Sequence, residues 1–219
     1  MTNPRLPKLT TTSYAVLGLL RRRPWSAYEL TQYMRNSILR AVWPRAESHL
    51  YSEPKLLEKR AFVVSHQEQN GARKRTVYSI TDLGRRALSE WLLAQRESEF
   101  RFEYELLVRF AFAESVDSND VQGYLRQVRA DALRDARVAM LGVEEMLQTL
   151  DELKTSDYAV YSGAMIHMVI DQLETRISWA AQMSERFSAA AKINSPAALV
   201  EELYLGAEQR LRDILFAED

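Results

Sequence analysis

The sequence contains no cysteine, which excludes a disulfide framework, a thiolate metal site and a cysteine nucleophile. Glycine is also scarce, with seven in 219 residues, and none belongs to a P-loop, a Gly-x-Gly-x-x-Gly turn or a Gly-x-Ser-x-Gly elbow. The three histidines, His49, His66 and His167, lack a second ligand at helical spacing, so we expect no metal site. The sequence therefore predicts a protein that is not an enzyme and that needs no cofactor.

Long hydrophobic runs are missing as well. No apolar stretch approaches the roughly 20 residues that a membrane-spanning helix requires. The N-terminal residues Met1-Thr2-Asn3-Pro4 lack the basic-then-apolar order of a signal peptide. We therefore expect a cytoplasmic protein with no membrane partner. Hydrophobic residues still make up 47% of the chain, which is ordinary for a soluble protein with a buried core.

The net charge of −1 conceals two halves of opposite charge. Residues 1–90 hold 16 lysines and arginines against 7 aspartates and glutamates, a net charge of +9. Residues 91–219 hold 13 against 23, a net charge of −10. Such asymmetry is typical of chains whose basic part contacts nucleic acid, although chance segregation of surface charge would give the same counts.

The first 95 residues alternate between patterns for short helices and for strands. The helical segments are residues 10–20, a second helix capped by Ser26, residues 46–59 and a last helix that starts at Thr81. Two strand-like segments, residues 62–67 and 73–80, flank Asn70-Gly71, which is the strongest short-range signal for a β-hairpin. The order of these elements predicts a winged helix-turn-helix domain over residues 1–95, with the hairpin as its wing.

The remaining residues, 96–219, carry no strand signals and predict a helical domain. Residues 100–112 are apolar on nearly every face, which predicts a helix buried on all sides. Two long helices follow, one from Asp117 and Ser118 and one after a turn at residues 155–157, each with apolar residues at intervals of three or four. The predicted fold is mainly α with a small β-hairpin, in which a winged helix-turn-helix precedes an all-α dimerisation domain with long antiparallel helices.

The two long apolar stripes predict a homodimer. An isolated helical hairpin would leave part of each stripe exposed, and pairing with a second copy about a two-fold axis would cover both. Packing of the stripes on the winged domain and on a final helix, predicted to open at Asn194-Ser195-Pro196, is the alternative. The predicted dimerisation residues are Leu125, Val128, Ala132, Tyr158, Tyr161, Met165, Val169 and Leu173.

Polar residues on the helix at 46–59 are candidates for DNA binding, because they fall opposite Leu50 and Leu57 on a helical wheel. Hydroxyls and lysines suit the base edges and phosphates of a major groove. Three successive cations in the wing would add salt-sensitive phosphate contacts. The predicted contacts are Ser48, His49, Tyr51, Ser52 and Lys55 in the helix and Arg73, Lys74 and Arg75 in the wing. A solvated surface would show the same residue types, but a helix directly before a hairpin favours DNA binding.

Several stretches of this first domain resemble the PadR-type transcriptional regulators. They are residues 12–20 (TSYAVLGLL), 26–30 (SAYEL), 49–51 (HLY) and 77–81 (VYSIT), together with Gly84 and Trp91-Leu92. The resemblance covers about residues 9–93 closely. The later long helices are similar to those of the larger family members, which dimerise through an extended C-terminal helical domain.

The resemblance implies a dimeric repressor that binds an inverted repeat in double-stranded DNA and is sometimes released by a small aromatic or amphipathic effector. It implies that Tyr28 and Tyr51 contact the DNA backbone and that Ser48 and Ser52 face the bases. Ser26, two residues before Tyr28, joins the predicted DNA-binding surface.

Two positions depart from the family pattern. Pro54 stands where the family usually has an inward leucine, which puts the course of the third helix in doubt. Ala61 replaces the usual glycine after that helix, which puts a left-handed C-terminal cap in doubt.

Two further hypotheses concern partners. Trp91, Phe100 and Tyr104 are the candidate lining of an effector pocket, because aromatic residues supply most of the contact area in ligand sites; packing in a core is the alternative for each.

The competing function is a protein-interaction module, since winged helices also bind proteins. The basic wing and the +9 half favour DNA, because a scaffold does not need them.

Overall fold

The computed structural model describes residues 9–70, 73–95, 100, 102–113, 118–193 and 196–217. The chain divides into two compact units, residues 1–100 and residues 101–219. The predicted fold class is confirmed, because the first unit combines helices with a small antiparallel sheet and the described residues of the second unit form helices.

The first unit contains five helices and three strands among its described residues. In chain order they are α1 (Thr11–Arg22), β1 (Trp25–Ser26), α2 (Ala27–Asn36), α3 (Leu39–Val42), α4 (Glu47–Lys59), β2 (Val63–Asn70), β3 (Arg73–Ile80) and α5 (Asp82–Leu93). The sheet is antiparallel with strand order β1-β3-β2. The sequence pattern predicts all of these elements except the two-residue strand β1 and the four-residue helix α3, which are too short to show a periodicity.

Side-chain caps explain where α1 and α5 begin. The Thr10 hydroxyl accepts a hydrogen bond from the Ser13 amide at 3.1 Å, and the Ser13 hydroxyl accepts one from the Thr10 amide at 3.2 Å. The Thr81 hydroxyl caps α5 by accepting from the Gly84 amide at 3.2 Å. Each cap pairs amide groups that the first turn of a helix leaves without a backbone partner.

The core of the first unit lies where the apolar faces of its helices meet the sheet. Its most deeply buried side chains include Leu17, Leu19, Leu30, Leu57 and Phe62. Burial of one such side chain stabilises the fold by about 2 kcal/mol. This core holds α4 in place from its inner side and leaves the opposite face of α4 free.

The end of α4 settles the doubt about Ala61. Its φ angle is 60°, so it adopts the left-handed conformation that usually requires glycine. The Phe62 amide donates to the Leu57 carbonyl at 3.0 Å, and the Ala61 amide donates to the Glu58 carbonyl at 2.9 Å. These two bonds form a Schellman cap, and the buried side chains of Leu57 and Phe62 give it the usual apolar contact.

Replacing Ala61 with glycine should therefore stabilise the protein. Relief of the left-handed strain outweighs the extra freedom of glycine in the unfolded chain, and we expect a gain of about 0.5–1 kcal/mol. Urea unfolding would measure it. The matched control, Ala15→Gly in the interior of α1, should lose about 1 kcal/mol. A loss of stability in Ala61→Gly would contradict the strain.

The hairpin differs from the prediction in the length of its first strand. Asn70 pairs with Arg73 as the last residue of β2, so β2 extends three residues beyond the predicted segment 62–67 and Asn70 belongs to the strand. The connecting positions 71 and 72 lie outside the described residues. Eight consecutive residue pairs, from Val63↔Ile80 to Asn70↔Arg73, fix the register of the wing.

The second unit contains five helices within the described residues: α6 (Glu105–Ala111), α7 (Ser118–Gln148), α8 (Leu150–Leu153), α9 (Asp157–Ile193) and α10 (Pro196–Leu215). Gln122 donates to the Ser184 carbonyl at 3.1 Å, and Arg176 donates to Asp135 at 2.9 Å. Because positions rise along α7 as they fall along α9, the two long helices run antiparallel, as predicted.

The predicted dimerisation stripe is largely an internal interface. Leu125, Val128 and Ala132 of α7 and Leu173 of α9 are at most 5% exposed within the single chain. They are covered in the single chain, where α7 and α9 pack on each other, so their role in a dimer contact stays a prediction that this burial does not support. Of the other four predicted residues, Tyr161 is exposed, whereas Tyr158, Met165 and Val169 are half-buried.

The segment 100–112 also differs from the prediction. Its helix, α6, has only seven residues and is not buried on all sides. Phe110 packs edge-on against Trp179 at 5.5 Å and Phe187 at 5.8 Å between ring centroids. Other apolar side chains of the segment are exposed in the single chain, namely Phe100, Phe102, Val108 and Phe112.

Candidate nucleic-acid interface

Helix α4 presents one buried and one exposed face, as the sequence predicts. Leu50, Pro54 and Leu57 lie on the buried face at intervals of four and three residues. The predicted DNA contacts on the opposite side are all exposed: Ser48, His49, Tyr51, Ser52 and Lys55. The Ser52 hydroxyl donates to the His49 carbonyl at 3.1 Å, which leaves its lone pairs available as acceptors. This face therefore offers hydroxyl groups, an imidazole and an ammonium group at a solvent-facing surface.

Pro54 does not end the recognition face. Proline cannot donate a hydrogen bond to the Leu50 carbonyl, yet α4 continues through it to Lys59. The Pro54 side chain is less than 2% exposed and takes an inward place in the core. Because the ring points into the core, the outward residues on either side of it stay on one face.

Helix α4 and the segment before it are attached to α1 by polar contacts. The Ser13 hydroxyl donates to the Glu53 carboxylate, and the Trp43 indole N–H donates to the Thr12 hydroxyl at 3.1 Å. The Arg45 guanidinium stacks over the Trp43 ring at 3.9 Å from its centroid, where a cation is attracted to the ring face. These contacts fix the segment that leads into α4 and place an exposed arginine two residues before the helix.

The N-terminus of α2 holds the two other predicted helix contacts, Ser26 and Tyr28. The Ser26 hydroxyl accepts from the Glu29 amide at 3.2 Å and donates to the Glu29 carboxylate at 2.8 Å. It is buried and fully used by this capping box, so the prediction that the Ser26 side chain contacts DNA does not fit the structure. Tyr28 is 65% exposed and fits a surface role.

The three wing cations have different surroundings. The side chain of Arg73 lies outside the described residues. Lys74 is exposed. Arg75 donates to Glu29 of α2 at 3.2 Å and to its cross-strand partner Glu68 at 3.1 Å. The prediction of three equivalent phosphate contacts therefore does not fit Arg75, whose charge is already paired.

The ionisation of Glu29 and Glu68 supports their pairing with Arg75. Although partial burial raises the pKa of Glu29, hydrogen bonds from the Ser26 amide and hydroxyl and the charges of Arg75 and Arg23 outweigh it, so its pKa lies below the ordinary value. Hydrogen bonds from His66 and Arg75 lower the pKa of Glu68. Both carboxylates are thus charged at neutral pH and hold the Arg75 guanidinium between them.

The candidate effector residues lie in different surroundings. Trp91 stacks on Tyr14 at 4.7 Å between ring centroids and packs against the core of the first unit. Phe100 is exposed. In the second unit, the Tyr104 hydroxyl donates to Asp131 at 3.5 Å and the Arg176 guanidinium lies 5.9 Å from the Tyr104 ring centroid. Burial, followed by the Asp131 charge, raises the pKa of Tyr104. An effector pocket at these residues stays a prediction.

Two searches over the described residues bear on other functions. No group of three or more histidine, aspartate or glutamate side chains in this part of the chain could hold a metal ion. None of the helices in the described ranges is long and apolar enough to cross a membrane.

Residues 16–90, which carry α1 to α5 almost entire, match the transcriptional regulator PadR-like family. The first unit of the chain is thus similar to the PadR-like family. It is 27% identical over 170 residues to the negative transcriptional regulator PadR of Bacillus subtilis, an alignment that covers 76% of this chain and 91% of that protein. The family resemblance seen in the sequence is thus confirmed.

Solved PadR structures share the fold of this chain. Bacillus subtilis PadR in complex with operator DNA matches with a TM-score of 0.70 at 20% identity, over 81% of this chain and 99% of that one. The same protein in complex with p-coumaric acid matches with a TM-score of 0.55 at 19% identity, over 83% and 99% of the two chains.

Sequence reasoning missed two features of the first unit. Arg45 on Trp43 precedes α4, and an aromatic residue two positions before an arginine at a helix start is the only signal that could have drawn attention to it. Glu29 appears in the sequence as a helix-capping residue, and its contact with Arg75 spans 46 positions. No local pattern reports such a contact.

Proposed function

We propose that this chain is a transcriptional repressor that binds an inverted repeat in double-stranded DNA as a homodimer. The observation that carries the proposal is the exposed polar face of α4, which faces solvent beside a basic wing in a half of net charge +9. Hydroxyls and an imidazole can exchange hydrogen bonds with base edges, and lysines neutralise phosphates. The name and the operator complex of the Bacillus subtilis relative support the same function.

Each predicted contact has a role in this proposal. Ser48, His49 and Ser52 read bases from the exposed face of α4, and Lys55 contacts phosphate. Tyr28 and Tyr51 contact the DNA backbone through their exposed hydroxyl-bearing rings. Lys74, and Arg73 beside it in the sequence, contribute phosphate contacts from the wing. Residues 1–95 form the DNA-binding domain and residues 96–219 the dimerisation domain of a cytoplasmic protein.

Exposed apolar side chains of the second unit support the homodimer. Tyr161 of α9 is 71% exposed, although it lies on a helix that also packs inside the chain. The larger apolar surface lies on α10 and comprises Val200, Tyr204, Leu205, Leu211, Ile214 and Leu215. A single chain that exposes so many apolar side chains on one helix gains stability by covering them with a second copy.

A small aromatic or amphipathic effector is the proposed release signal. The support is the p-coumaric acid complex of Bacillus subtilis PadR and the Tyr104 hydroxyl with its neighbours Asp131 and Arg176 in the second unit. Polar groups placed among aromatic rings are what an aromatic ligand with polar substituents requires.

Fluorescence anisotropy on the DNA upstream of the chain's own gene, and on a scrambled copy, tests the proposal across a salt series. We expect nanomolar binding that prefers the native fragment by about 10³-fold or more and that weakens steeply with salt. Weak binding that is equal on both DNAs, or absent at physiological salt, would favour the protein-interaction module.

A further inference from the structure

Arg75 sits between two carboxylates that belong to different elements. Its Nη1 lies 3.2 Å from Glu29 of α2, and its Nη2 lies 3.1 Å from Glu68 of β2. The side chain is 37% exposed, and its Nε is buried with no hydrogen-bond partner among the described residues. The inner part of the Arg75 side chain is buried, and its two terminal nitrogens are paired with carboxylates. The guanidinium is therefore not available to bind a phosphate.

The Glu29 carboxylate takes part in both the cap of α2 and the ion pair with Arg75. One carboxylate oxygen accepts from the Ser26 amide and hydroxyl at 2.8 Å each and completes the cap of α2. The other oxygen accepts from Arg75 at 3.2 Å and lies 3.6 Å from Arg23. The side chain that defines the first turn of α2 is therefore the same side chain that holds the wing.

This link connects two parts of the candidate interface. Tyr28 precedes Glu29 on α2 and is exposed, and Lys74 precedes Arg75 on β3 and is exposed. Successive residues of a strand point to opposite faces, so Lys74 points away from the side on which Arg75 meets Glu29. Because Arg75 is held against Glu29, the distance between the exposed Lys74 and the N-terminus of α2 is also fixed.

We propose that Arg75 is a positioning residue, whose ion pairs with Glu29 and Glu68 hold the wing against α2 so that Lys74 and Tyr28 meet the DNA backbone together. Arg75 itself makes no phosphate contact. The proposal rests on the DNA-binding function given above, and it assigns different roles to two adjacent basic residues. We call the side chains of Arg75, Glu29 and Glu68 the wing brace.

The variant Glu29→Gln separates this role from a phosphate contact, because the two predict opposite signs. Glutamine can replace glutamate in a capping box, so α2 keeps its cap while the charge is lost. If Arg75 bound phosphate, loss of a nearby negative charge and release of the guanidinium would strengthen DNA binding. If Arg75 positions the wing, the same variant weakens binding although the protein has become more basic.

The experiment measures the dissociation constant and its salt dependence by anisotropy for the full-length chain and its variants. We expect Glu29→Gln, Glu68→Gln and Arg75→Gln each to weaken specific binding about 5-fold or more without lowering the salt slope. Lys74→Gln, the phosphate control, should lower the slope by about one per contact. Glu90→Gln, an exposed carboxylate of α5, controls for charge and should not weaken binding. Thermal unfolding of each variant confirms that it folds.

The possible results distinguish a failure of the wing brace from a failure of the DNA-binding function. Tighter binding by Glu29→Gln, or a salt slope in Arg75→Gln that falls as it does in Lys74→Gln, would overturn the wing brace while leaving the DNA-binding function intact. If Arg75→Gln does not fold, the two glutamate variants decide alone. If the unmodified protein shows no preference for its native DNA, the proposed function fails and the wing brace fails with it.

Discussion

Alanine at position 84 is expected to destabilise the first unit by at least about 3 kcal/mol. Gly84 lies in the first turn of α5 and packs against the end of β3 and the start of β2. A Cβ added there would come closer to the Phe62 carbonyl oxygen than any van der Waals contact allows, and it would lie 2.8 Å from Ile80 Cγ1. One methyl group therefore cannot be accommodated without moving the backbone.

The Phe62 carbonyl cannot easily move aside, because it accepts two hydrogen bonds from Thr81. It accepts from the Thr81 amide at 3.1 Å and from the Thr81 hydroxyl at 3.0 Å. The same hydroxyl caps α5, and Phe62 itself is fully buried. Shifting α5 away from this oxygen would thus break its own cap and open the core, which explains an effect larger than that of ordinary overpacking.

Urea or thermal unfolding would measure the Gly84→Ala effect, and Gly18→Ala in α1 is the matched control. A Cβ at position 18 meets nothing within 4 Å, so alanine should stabilise that helix by about 0.5–1 kcal/mol. Opposite signs for the same substitution at two helical glycines are the expected result. A Gly84→Ala protein as stable as the original would show that α5 is not held against Phe62 as described.

The sequence predicts the faces of α4 correctly because burial there has a simple period. Leu50 and Leu57 are seven residues apart, which is close to two helical turns, and Pro54 falls between them on the same side. The exposed face then follows from the helical wheel alone. What the wheel does not supply is the effect of Pro54 on the helix, because that depends on whether the ring points into the core, as it does here.

The dimer contacts were harder to predict, for a physical reason. A stripe with residues three or four apart shows that a helix face is covered, but it does not show which surface covers it. Leu125 and Val128 are already buried within the single chain, where α7 packs on α9, so their spacing carries no information about a second copy. The apolar residues that remain exposed on α10 become visible only when the internal contacts are known.

In the wing, the charges in the sequence do not predict the contacts of the individual cations. Arg73, Lys74 and Arg75 are equivalent as a run of cations, and only the three-dimensional contacts distinguish Arg75, with Glu29 and Glu68 beside it, from Lys74. Segregated charge in the sequence thus predicts which half of the chain is basic, but it does not predict which cations are available to a partner.

The second large effect concerns Lys55. On the proposed function, Lys55→Glu should weaken specific DNA binding by roughly 100-fold. Lys55 is exposed on α4, on the face opposite Leu50 and Leu57, so the change leaves the core untouched. It removes an attraction to phosphate and adds a repulsion, worth about 1–2 kcal/mol in total at a hydrated surface, and a homodimer carries the change in both subunits.

Anisotropy at fixed salt would measure this loss, with Lys192→Glu as the control. Lys192 is an exposed residue near the end of α9 in the second unit, and its reversal changes the net charge by the same amount. If net charge alone governed binding, the two variants would weaken it equally. Because phosphate attraction falls off within about 10 Å at 0.1 M salt, a contact at α4 requires that only Lys55→Glu be strongly impaired. Equal losses would contradict α4 as the DNA-binding surface.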